Sequence, residues 1–125
     1  MRVVCVSLGG ENRSDPWLTL NGEYHVLSIL MTPRGPAKLR IMADDQRTPI
    51  LADATMFAGY PQSLPSTWVV AVREGGIVEI GPPSWLNTGF WERYFDGDVE
   101  AVSQFHNEAQ DMMRKPEQQG SGESD

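Results

Sequence analysis

Few residues in this chain have the type and setting for chemistry: Cys5, His25, His106 and a scatter of hydroxyls. A cysteine nucleophile needs a neighbouring base or positive charge. Cys5 instead sits in the run Val3-Val4-Cys5-Val6, where strand alternation sets it on the face of Val3 and points to a buried structural thiol. As the one cysteine it can form neither an internal disulfide nor a thiolate cluster. His25 falls in an extended stretch and His106 in a helical one, neither with a second ligand at a metal-site spacing. Ser63, Ser66, Ser84 and Ser103 lie outside any nucleophile-elbow pattern, and the pairs Gly9-Gly10 and Gly75-Gly76 match no phosphate loop or dinucleotide fingerprint. In YFDGDVE, Asp96 and Asp98 bracket a glycine as in calcium loops, but the spaced ligands do not follow, so helix capping is the simpler account. The expectation is a non-enzymatic domain with no catalytic residue, no metal site and no cofactor.

Charge is more informative. The net charge is −7, yet residues 1–78 hold seven acids and seven bases and are neutral. Residues 79–111 hold Glu79, Glu92, Asp96, Asp98, Glu100, Glu108 and Asp111 against Arg93 alone, hence −6. An acidic third repels phosphate backbones and attracts basic surfaces. The basic cluster that a nucleic-acid-binding barrel would need reduces to Arg34, Lys38, Arg40 and Arg47 around one hairpin, the pattern of a solvated face.

The elements that must position these groups read as short strands followed by helices. Val3 to Leu8 is a β-branched run ended by Gly9-Gly10, with a polar loop from Glu11 to Pro16. In WLTLNGEYHVLSIL, Asn21-Gly22 marks a turn between two apolar stretches. Simple alternation sets Tyr24, Val26 and Ser28 on one face, and His25, Leu27 and Ile29 on the other. Neither face is wholly polar, which predicts a central or strongly bent strand. KLRIM, the piece from Ile50 towards Tyr60, Trp68–Arg73 and Ile77–Ile80 supply further strands, with Glu74-Gly75-Gly76 forming a hairpin. From Thr88 the chain turns helical. A short aromatic helix carries Phe90, Trp91, Tyr94 and Phe95, and a second helix starts at Asp96 or Asp98. Its packed face is expected to hold Val99, Val102, His106, Ala109 and Met113 with Phe105 beside them, leaving Glu100, Asn107, Glu108 and Asp111 outside. The predicted architecture is mainly β with C-terminal α. A small bent antiparallel sheet or barrel of five or six strands is packed by one or two C-terminal helices. Residues 1–113 form a single domain and 114–125 a tail too polar to order. No stretch reaches the about 20 apolar residues of a membrane span, and the first residues lack a signal-peptide pattern, so a cytoplasmic chain is expected.

The order WLTLNGEYHVLSIL, KLRIMADD, ATMFAGY, LPSTWVV and GFWERYFDGDVEAVSQF, spanning residues 1–108, resembles small bacterial proteins with a Src-homology-3-like barrel, of the kind found among immunity proteins of polymorphic toxin systems. The resemblance implies a protein that binds another protein, and an acidic face would suit a basic toxin. The residues expected to bind are Trp91 and Tyr94 as aromatic anchors, with Glu92, Asp96, Asp98 and Glu100 supplying charge. The other readings are a self-associating assembly subunit pairing through a strand edge, and a small enzyme using His25 or His106 beside an acid.

Overall fold

A computed structural model describes residues 1–9 and 15–114; the expected loop at 11–16 thus falls largely outside the described residues, as does the expected tail beyond Arg114. The described residues form seven strands, β1 (Arg2–Cys5), β2 (Glu23–Met31), β3 (Lys38–Met42), β4 (Pro49–Asp53), β5 (Phe57–Ala58), β6 (Val69–Arg73) and β7 (Ile77–Gly81). Two helices follow, α1 (Phe90–Phe95) and α2 (Val99–Arg114). The mainly β reading with C-terminal helices holds, with seven strands in place of five or six. Arg114, expected as the first residue of the tail, is the last residue of α2.

The sheet is antiparallel and open, in the order β4-β3-β2-β1-β5, with β7 also on β2 and β6 on β7. β2 organises it because one of its edges serves two strands in succession. Its first half pairs with β1, Val3 opposite Tyr24, and its last residues pair with β7, Ile29 opposite Ile80. Between these halves a bulge interrupts the pairing with β3: Val26 faces Ile41 and Ser28 faces Arg40, leaving Leu27 as the extra residue.

That bulge overturns the simple alternation expected for this strand. Tyr24, Val26 and Ile29 share one side of the sheet, while Leu27 packs on the other. One inserted residue reverses every later side chain, which is how a strand with no polar face serves two cores. Gly81 fits the same junction, because a Cβ there would stand 2.7 Å from Ser28 Cβ.

The stretch Trp17–Leu20 is apolar but forms no strand. Side chains pin it instead to the β3–β4 turn. The Thr19 N–H donates to Tyr24 Oη at 2.7 Å, and the hydroxyls of Thr19 and Tyr24 donate to Asp44 at 2.7 and 2.6 Å. Burial, and then the bond to Asp44, push the Tyr24 phenol above its ordinary pKa.

One core, on the side of the sheet that Tyr24 and Val26 face, joins Cys5, Leu18, Tyr24, Val26, Leu39, Ile41, Ala52 and Trp68. The other, beneath the helices, joins Leu27, Met42, Trp85, Leu86, Phe90, Ala101, Phe105 and Ala109. Met112 near the end of α2 touches both and accepts a hydrogen bond from Trp68 Nε1 at 3.4 Å.

Candidate functional site

The acidic, aromatic stretch folds as a corner between α1 and α2, and its backbone explains its shape. Gly97 adopts a left-handed φ of 84°, its N–H donating to the Tyr94 carbonyl and that of Asp98 to the Arg93 carbonyl, both at 3.0 Å. This paired closure ends a helix in a glycine-dependent turn. The carboxylate of Asp98 then accepts the Ala101 N–H at 3.0 Å and caps α2. One aspartate thus closes one helix and opens the next, and Asp96 is the C-cap of α1.

The corner sorts the aromatic residues. Phe90 is buried and Trp91 half-buried, 4.9 Å apart between ring centroids. Phe105 of α2 gathers Trp85 at 5.0 Å, Tyr94 at 5.0 Å and Trp91 at 5.7 Å. Trp91 and Tyr94, expected as anchors, are therefore half-buried in this packing. The exposed apolar groups are their neighbours, Phe95 at 61% and Val99 at 82%. In the same stretch Glu92, Asp96, Asp98 and Glu100 are all exposed. The nearby cation, Arg93, lies 3.7 Å from Asp98 in an exposed ion pair that neutralises little.

Val99 was expected on the packed face of α2, but that face is Ala101, Phe105 and Ala109, with Met112 and Met113 half-buried. The signal for it was present in the sequence: two alanines four residues either side of a phenylalanine mark a helix lying close against its support.

Beneath the corner lies a feature the sequence did not announce. Arg40, expected in a solvated basic cluster, is only 6% exposed. Its guanidinium carbon stands 3.7 Å from the Trp91 ring centroid. Nε has no hydrogen-bond acceptor among the described residues. Burial lowers its pKa to about 10, opposed by the charge of Glu79. Glu79 itself receives Arg73 Nε at 2.8 Å, and Arg73 donates to the Leu86 carbonyl at 2.6 Å.

Cys5 is fully buried, its thiol 3.5 Å from the Ser7 carbonyl. His106 is half-buried beside Phe105 and Tyr94, and His25 half-buried on β2. Among the described residues no group of three or more His, Cys, Asp or Glu could hold a metal ion, and no helix is long and apolar enough to cross a membrane. Comparison with protein-family models, with curated proteins and with solved structures gives no match.

Proposed function

We propose that this chain is a non-enzymatic protein-binding module of the immunity type, acting in the cytoplasm and docking a basic partner such as a toxin on the α1–α2 corner. The observation that carries the reading is that Phe95 and Val99 are exposed at the α1–α2 corner, in a stretch where Glu92, Asp96, Asp98 and Glu100 are exposed as well. An apolar centre with a charged rim is the anatomy of a protein interface, the centre supplying affinity and the rim steering encounter. Trp91 and Tyr94, half-buried against Phe105, support the corner. On this reading the bent sheet is a Src-homology-3-like scaffold that holds the corner rigid.

Capture from extracts of the source cell tests the proposal. The wild-type chain should retain a basic protein at low salt and release it near 1 M salt, where the screening length falls to ~3 Å. Combined reversal of Glu92→Lys, Asp96→Lys and Glu100→Lys should abolish capture, and Phe95→Ala should weaken it at every salt concentration. Retention of the same protein by the charge-reversed chain would sink the idea.

A further inference from the structure

The sheet ends in edges of different kinds. β4 opens on Pro49 and closes on Asp53, which pairs with Lys38. A proline and a charge both discourage a further strand. Beyond β1 lies the short β5, and alongside it the Gln62 side chain accepts the Arg2 N–H and donates to the Arg2 carbonyl, both at 2.8 Å. That amide substitutes for another strand.

β6 carries no such device. It reads Val69-Val70-Ala71-Val72-Arg73, without proline, and the guanidinium of Arg73 is turned to Glu79 and the Leu86 carbonyl. Among the described residues β6 pairs with β7 alone, so alternate N–H and C=O groups along its other edge point outward. Val70 is 60% exposed and Val72 75%.

We infer that β6 is a dimerisation edge, pairing antiparallel with β6 of a second copy of this chain. Charge selects that occupant. Residues 54–72 contain no charged side chain, in a protein of net charge −7. A basic partner finds nothing there to attract it, whereas a second copy meets no like charge. The strand is also self-complementary. Antiparallel pairing about a two-fold axis at Ala71 sets Val70 opposite Val72 of the second copy, and Val72 opposite Val70. All four valines then share one face, because alternate residues of a strand point the same way. Val69 meets Arg73, and no acid meets an acid.

This surface is separate from the acidic corner, and solution mass tests it independently. Light scattering over a concentration series should give twice the 13.9 kDa monomer mass at high concentration, without loss in added salt. Val72→Lys should leave only monomer. Val72→Thr, which keeps the β-branch on an exposed site, should raise the dissociation constant about tenfold while near-ultraviolet circular dichroism stays that of the wild type. The Glu92→Lys, Asp96→Lys, Glu100→Lys chain should still dimerise. A chain that stays at 13.9 kDa throughout overturns the inference, as does a dimer unchanged by Val72→Lys or dissociated by salt.

Discussion

On one side of the β2–β3 pair the core is mostly aliphatic, and its main polar group, the Tyr24 hydroxyl, both donates to Asp44 and accepts from the Thr19 N–H. The other side is built from Trp85, Phe90 and Phe105. It also holds the buried cation Arg40, with Arg40 Nε and Trp85 Nε1 lacking acceptors among the described residues. An unsatisfied buried donor costs about 1–3 kcal/mol. The aliphatic side is thus the better satisfied, although the helical side buries the larger rings. Stability in this fold is uneven by construction, and the corner proposed to bind stands over the less satisfied half.

The largest effect should come from Trp85→Ala, which removes the fully buried ring joining the sheet to α2. A loss of about 3–5 kcal/mol is expected. Urea titrations followed by helical circular dichroism and by the Tyr24 environment should separate, with the helices lost first. Ile41→Ala in the aliphatic core should cost about 2–5 kcal/mol and unfold both halves together. Coincident transitions in both variants would erase the distinction between the two sides.

Arg40→Met probes the same contrast with the opposite sign. The substitution keeps a flexible side chain against Trp91 and removes a charge that burial disfavours, as its pKa near 10 records. Removing one ion of a buried pair is costly when its partner is left uncompensated, but Glu79 keeps Arg73 as its partner. The loss of Arg40 therefore resembles replacement of a whole buried pair by apolar groups, neutral to stabilising by about 1–4 kcal/mol, less the lost stacking of about 0.5–2 kcal/mol. A net gain of about 1 kcal/mol in the free energy of unfolding is expected, read as a higher urea midpoint at unchanged slope. A clear loss would mean that Glu79 compensates Arg40 more fully than its geometry indicates.

The sequence showed the strands, the hairpin glycines and the helical ending because each is local. Periodicity, turn residues and capping groups act within a few positions, and Asp98 was already one of two named caps. What it concealed depends on contacts distant along the chain. The bulge at Leu27 is set by pairing with Arg40 and Ile41, and it silently reverses the faces of Ser28 and Ile29. Arg40 reads as a surface charge until α1 folds over it from fifty residues away. Trp91 and Phe95 are both aromatic at helical spacing. Only the corner closed by Gly97 shows which is packed and which exposed.

A smaller effect should follow from Asp98→Ala, which removes the α2 cap. Losses of about 1 kcal/mol are usual for such caps. The ion pair with Arg93, exposed and 3.7 Å long, adds little to that. Thermal unfolding read at the helix band should shift more than the signal of the aliphatic core, sharpening the contrast drawn by Trp85→Ala. An equal shift of both would join the cap to the cooperative unit of the whole sheet.

The smallest effect is a pH dependence at the β3–β4 turn, where Asp45 accepts hydrogen bonds from the Thr48 hydroxyl and from the N–H groups of Arg47 and Thr48. The Thr48 hydroxyl bond, followed by those two N–H bonds, holds its carboxyl below the ordinary aspartate pKa. A depressed folded pKa means that the unfolded chain binds the proton first as pH falls. The stabilisation is therefore present above about pH 4 and lost as pH drops through the folded value. Asp45→Asn should be less stable than the wild type at pH 7, and the difference should shrink in acid. Because the charge of Asp45 also raises the Tyr94 pKa, the tyrosine titration in this variant should move down. An unmoved Tyr94 would uncouple the β3–β4 turn from α1 and leave Arg40 and Trp91 as the link between the sheet and the acidic corner.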